Sequence, residues 1–140
     1  MDIKKLTAEL AVSQQIAATD LHAIADAGFR AVVCNRPDGE SSDQPNFSEI
    51  EAAAREQGIE THYLPIESGK VGDGEAAQFG ELMQALPKPV LAYCRSGTRC
   101  AALWCLSQAG KRPLPDILAR AQAAGYDMTA VMHRAYEPPA

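Results

Sequence analysis

The apolar positions of this chain alternate between two periods. Thr19 can cap a helix that carries Leu21, Ile24 and Ala25 on one face. Gly28 supplies its stop, and the run Ala31-Val32-Val33-Cys34-Asn35 reads as a buried strand. The pattern then repeats. Asn46 with Glu49 has the form of a capping box, and Phe47, Ile50, Ala53 and Ala54 make an apolar face. Gly58 ends that helix before a strand from Ile59 to Ile66. In the third copy Asp73 caps a helix with Phe79, Leu82, Met83 and Leu86 at helical spacing, and Pro87 closes it before the strand Pro89-Val90-Leu91-Ala92-Tyr93.

Ahead of these units, Ile3 to Val12 reads as one or two short strands. After them come three helices and no further strand. The first is strongly apolar (Ala101, Ala102, Leu103, Trp104, Leu106) and ends near Gly110. The second runs from Pro115 to Ala124 and the third from Asp127 to Tyr136, leaving Glu137-Pro138-Pro139-Ala140 as a frayed tail. Strands alternating with helices of this length predict right-handed parallel crossovers. The expected fold is therefore α/β, a three-layer αβα sandwich whose mostly parallel central sheet has four to five strands with helices on both faces. Ligands of such sheets sit beyond the C-terminal strand ends. That rim carries Asn35-Arg36-Pro37-Asp38, Glu67 to Asp73, and the loop that begins at Cys94.

Composition narrows the function. A chain of 140 residues, 46% apolar and 22% charged, can bury one substantial core, so residues 1–140 are expected to form a single domain. The formal charge of −5 argues against a chain that coats nucleic acid or an anionic membrane, so any anion site must be local. No apolar run approaches the ~18 residues of a membrane helix, and Met1-Asp2-Ile3-Lys4-Lys5 does not open a signal peptide; a cytoplasmic location is expected. In that compartment Cys34, Cys94, Cys100 and Cys105 are expected to be free thiols. Their spacing does not match paired zinc ligands, and His22, His62 and His133 are scattered, so no metal and no cofactor are expected.

The chemistry concentrates in Cys94-Arg95-Ser96-Gly97-Thr98-Arg99. A cysteine between a buried strand and a helix N-terminus meets unpaired backbone N–H groups and the positive end of the helix dipole. Both favour an anion, and the first anion available is the thiolate. A fall from about 8.5 to about 5.5 would favour it by roughly 4 kcal/mol. Gly97 permits the positive φ that a ring of inward N–H groups requires, and Ser96 and Thr98 can satisfy stray polar groups or touch ligand. Arg99 presents a planar fork for an oxyanion, with Arg95 and Arg36 as further substrate-binding candidates. Cys34 and Cys105 read as core thiols and His62 as a core histidine. Cys100 reads as a packed helix residue with the capacity to resolve an oxidised Cys94. Asn35 can hydrogen-bond a neighbouring loop, while Pro37 and Asp38 shape a turn.

At these residues the sequence resembles two cysteine-loop superfamilies, the protein tyrosine phosphatases with Cys-x5-Arg and the rhodanese sulfurtransferases with a six-residue loop. Cys94 to Arg99 is Cys-x4-Arg, and Cys100 stands where a phosphatase has its arginine. The all-helical end of the chain, by contrast, is phosphatase-like. Across its length, and above all in Cys34-Asn35-Arg36-Pro37-Asp38 and Leu91-Ala92-Tyr93-Cys94-Arg95-Ser96-Gly97-Thr98-Arg99-Cys100, the chain resembles the phosphatase-like domain family of beta-lactamase hydrolase-like proteins. The resemblance implies a protein-tyrosine-phosphatase-like fold with a rhodanese-like loop. Some members are fused to a metallo-beta-lactamase-like persulfide dioxygenase, which implies such an enzyme as a partner.

Three functions follow. The first expectation is a sulfurtransferase: Cys94 takes the outer sulfur of thiosulfate or a low-molecular-weight persulfide, holds it as a persulfide and passes it to a thiol, with the arginines on the small anionic donor. The alternative is a phosphatase that forms a thiophosphate on Cys94 from a phosphorylated substrate, with Glu67 or Asp73 as general acid. The third is a non-catalytic persulfide or redox sensor.

Overall fold

A computed structural model describes residues 2–135, so Tyr136 and the expected frayed tail lie outside the described residues. Five strands form one sheet: β1 (Ile3–Lys5), β2 (Leu10–Ser13), β3 (Ala31–Cys34), β4 (Glu60–Tyr63) and β5 (Val90–Tyr93). Their order is β1-β2-β5-β3-β4. Only the β1–β2 pair is antiparallel, so the predicted α/β architecture is the one observed. The helices are α1 (Leu21–Asp26), α2 (Phe47–Glu56), α3 (Asp73–Ala85), α4 (Thr98–Ser107), α5 (Leu114–Ala123) and α6 (Thr129–Ala135).

Strand alternation divides the core. On β5, Leu91 and Tyr93 pack with Ile24 of α1 and Ile50 of α2. Val90 and Ala92 face the opposite layer, with Phe79 of α3, Leu103 of α4, Ile117 of α5 and Met132 of α6. Cys94 is next in the alternation and falls on the α4 side. The register aligns the strand ends: Tyr93 is opposite Ser13 on β2 and Cys34 on β3. The chain leaving β2, β3 and β5 therefore emerges at one rim, the expected position for a ligand site in a parallel sheet.

Several local expectations give way to longer-range contacts. Thr19 lies within a 3-10 turn, Ala18–Asp20, and does not cap α1; the Asp20 carboxylate instead accepts from the Ala17 N–H at 2.8 Å. Asn46 precedes α2 without a side-chain cap, because Asp38 Oδ1 reaches across to accept the Phe47 N–H at 2.8 Å. Asp73 is the first residue of α3, after Gly72, and makes no capping bond. The predicted 59–66 strand pairs only over β4. As an edge strand β4 leaves His62 exposed, so His62 is not a core histidine. The chain after β4 still follows β3: the Leu64 N–H donates to the Cys34 carbonyl and the Ile66 N–H to the Asn35 carbonyl. Asn35 Nδ2 donates to the Leu64 carbonyl at 3.0 Å, the neighbouring-loop bond expected of it.

Candidate active site

Cys94 sits at the C-terminal end of β5, fully buried, its N–H directed at the Ser13 carbonyl. The turn to α4 is made by Gly97 at φ +90°, which brings its N–H to 3.1 Å from Cys94 Sγ. The Cys94 pKa is lowered to about 5. The buried Cys100 thiol donates to the sulfur, and the N–H groups of Cys100, Arg99 and Gly97 outweigh the opposing effect of burial. Cys100 itself is pushed well up, by burial first and by the neighbouring thiolate second, so it remains the donor. Burial likewise raises Cys34 to about 11 and Cys105 to about 12. All four cysteines are free. One thiol of four is ionised near neutrality.

Arg99 follows one residue into α4, and its guanidinium turns back beneath the loop. Nη1 donates to Glu40 Oε2 at 2.7 Å and to the Ile66 carbonyl at 2.9 Å, and Nη2 donates to Glu40 Oε1 at 2.9 Å. It also lies against the Cys94 sulfur, whose charge contributes to raising its pKa after the larger effect of Glu40. Arg36 is buried; its Nε donates to Glu40 Oε1 at 3.0 Å and its Nη1 to Gln15 Oε1 at 3.1 Å. Glu40 thus joins two arginines and is held ionised, its pKa lowered first by the hydrogen bonds from Arg99.

The remaining loop side chains face outward. Arg95 is exposed, and Ser96 Oγ and Thr98 Oγ1 lie 2.9 Å apart. Tyr126, between α5 and α6, donates its hydroxyl to the Ser96 carbonyl at 3.0 Å and buttresses the loop from outside. A cleft of about 560 Å³ opens at the loop, lined by Arg95, Thr98 and Arg99 together with Val71, Val131 and Arg134. Glu67 and Asp73 are both exposed, and neither carboxylate hydrogen-bonds to the loop. Asp73 lines a shallower neighbouring depression with Val71 and Arg134. Among the described residues no group of three or more potential ligands could hold a metal ion. No helix among them is long and apolar enough to cross a membrane.

Glu40 and Tyr126 escaped the sequence reading. Glu40 has one local signal, a position four residues after Arg36 in the rim loop. Tyr126 has none, since its partner lies 30 residues away.

The model of the family described as beta-lactamase hydrolase-like protein, phosphatase-like domain, matches residues 2–111. The chain belongs to this family. A beta-lactamase hydrolase-like protein of Xylella fastidiosa is 29% identical over 130 residues, which are 91% of this chain and 30% of the relative. The chain therefore spans about three-tenths of the length of the curated relatives it matches. Among solved structures, the proposed phosphatase nma1982 of Neisseria meningitidis is 36% identical, with 96% of each chain covered and a TM-score of 0.87. TpbA of P. aeruginosa, solved as a cysteine-to-serine variant in complex with pTyr, is 17% identical. That match covers 94% of this chain and 70% of TpbA at a TM-score of 0.62, a likeness of fold. The family's phosphatase-like fold is thus the body that carries the Cys94 loop.

Proposed function

We propose that this domain is a cysteine-dependent phosphatase that acts through a Cys94 thiophosphate. The observation that carries the proposal is the thiol lowered to about 5 inside a ring of N–H groups on a phosphatase-like body. The thiolate attacks phosphorus; the S–P bond forms as the ester P–O bond breaks, and the leaving oxygen departs with that electron pair. Water then hydrolyses the thiophosphate, releasing phosphate and returning the thiolate. The loop N–H groups and Arg99 stabilise the equatorial oxygens. Glu40 cannot serve as the acid because its arginine partners keep it ionised. Glu67 and Asp73, the expected acids, are exposed, and neither is hydrogen-bonded to the loop. Substrates whose leaving group needs little protonation are therefore favoured: aryl esters, with phenol pKa values of about 10, over alkyl esters. The pTyr complex of TpbA is consistent with an aryl substrate.

A second reading, sulfur transfer, is favoured by one observation. Arg99 comes one position earlier than in Cys-x5-Arg, and Glu40 already occupies its fork, an arrangement that suits a compact persulfide without demanding an acid. Parallel assays separate the readings: aryl phosphate hydrolysis, and sulfur transfer from thiosulfate to cyanide or a thiol, each with Cys94→Ser as control. Phosphate release that depends on Cys94 supports the phosphatase. Thiocyanate production that depends on Cys94, without phosphate release, replaces it with the sulfurtransferase, with a persulfide dioxygenase as its expected partner. Cys94 modification without turnover of either substrate leaves the sensor.

A further inference from the structure

The cleft outside the loop is larger than an inorganic oxyanion needs and falls within the usual range for small-molecule sites. Its cations divide into two kinds. Arg99 is already ion-paired with Glu40 and bonded to the Ile66 carbonyl. Arg95 and Arg134 both line the opening and, among the described residues, carry no salt bridge and no side-chain hydrogen bond. Asp43 is within electrostatic range of Arg95 but is held first by the Ser41 hydroxyl. Asp73 shares the shallower depression with Arg134 without pairing to it. A place in the last turn of α6 explains a cation at position 134 through the helix dipole, but not its opening onto the cleft. The apolar part of the same lining is made by Val71, Ala102 and Val131. In a chain of net charge −5, two unpartnered arginines around an apolar wall beside an anion-binding loop form a local exception to the field of the whole molecule.

We propose that this cleft selects a small doubly anionic substrate: one anionic group enters the Cys94 loop, an apolar or aromatic spacer lies on Val71, Ala102 and Val131, and a second anion is held by Arg134 and Arg95. The inference deepens the phosphatase reading and rests on it for the identity of the first group. Arg134 is the residue that determines specificity, because it touches the distal anion and lies outside the loop.

The test is direct binding and needs no turnover. Benzylphosphonate and its 4-carboxy derivative are titrated calorimetrically into the wild-type protein, Arg134→Gln and Arg134→Lys. The expected result is at least tenfold tighter binding of the carboxylated probe by the wild type, loss of most of that preference in Arg134→Gln, and partial rescue in Arg134→Lys. Equal affinity for the two probes, no binding of either, or a preference untouched by Arg134→Gln overturns the inference. The phosphatase reading is judged separately by the Cys94-dependent release of phosphate, so failure of the one is distinguishable from failure of the other.

Discussion

Glu40 grips Arg99 through both carboxylate oxygens, at 2.7 and 2.9 Å, while Oε1 also accepts from Arg36 at 3.0 Å. The two arginine side chains are only 6% and 10% exposed; this carboxylate compensates the charge of Arg36 and, ahead of the Cys94 thiolate, that of Arg99. Replacing Glu40 with Gln keeps the shape and removes the charge. With the carboxylate itself 25% exposed, and so partly screened by water, the expected cost is roughly 1–3 kcal/mol. The pH dependence follows from the lowered pKa of Glu40. The contribution is complete above the unfolded value of about 4.3 and is lost as pH falls through the lower folded value. Urea midpoints of wild type and Glu40→Gln should therefore differ by a constant amount from pH 7 to 5 and converge in stronger acid. Equal midpoints at pH 7 would remove Glu40 from the energetics of the site.

The Cys100 thiol is the largest cause of the lowered Cys94 pKa. Alkylation by iodoacetamide, followed as a function of pH, should show an inflection near pH 5 and a plateau through neutrality. In Cys100→Ala the inflection should move upward by about one pH unit, the equivalent of one charge-assisted hydrogen bond of roughly 1.5 kcal/mol. An inflection unmoved by that substitution would assign the thiolate to the N–H ring alone.

Asp38 caps α2 from outside the helix, since its carboxylate accepts from Phe47 while its own N–H donates to the Tyr63 hydroxyl at 2.9 Å. Asp38→Ala should therefore destabilise the domain by roughly 1 kcal/mol, as the loss of an N-cap does. Asn46→Ala, at the position where the sequence pattern suggests the cap, should have little effect. Chemical denaturation of both variants decides the point, and the reverse order would return the cap to Asn46.

The same pair of residues shows what was legible. The Cys94 loop can be read from sequence because its parts are contiguous: a buried strand, a glycine able to take positive φ, and a helix start. The centre of the parallel sheet can be read because β3 and β5 are apolar runs bounded by helix signals. Asp38, Glu40 and Tyr126 act at a distance. Glu40 meets an arginine 59 residues away, and only the register that brings the ends of β3 and β5 together makes that contact possible. The 59–66 segment shows the converse limit. Its apolar run continues past Tyr63 as Leu64-Pro65-Ile66, yet Pro65 has no N–H for a ladder. The regular strand stops while Leu64 and Ile66 still hydrogen-bond Cys34 and Asn35, so Ile66 can offer its carbonyl to Arg99. Periodicity carries no information about which strand will be an edge.

Gly97 is constrained twice, by its φ of +90° and by Tyr126. A Cβ at this position would overlap the Tyr126 hydroxyl oxygen and lie 3.0 Å from the ring carbon that bears it and 3.4 Å from the Ser13 carbonyl oxygen. Gly97→Ala should combine left-handed strain with this overlap and cost roughly 2–5 kcal/mol. It should also raise the Cys94 pKa, because the Gly97 N–H that donates to the sulfur shifts with the loop. Tyr126→Phe removes the nearest atom, together with the hydrogen bond to the Ser96 carbonyl. In that background the cost of Gly97→Ala should fall by roughly 1 kcal/mol, and the residue of the penalty belongs to the backbone. Denaturant unfolding of the four proteins closes the cycle. An identical cost in both backgrounds would mean that Tyr126 yields freely and that φ alone requires glycine.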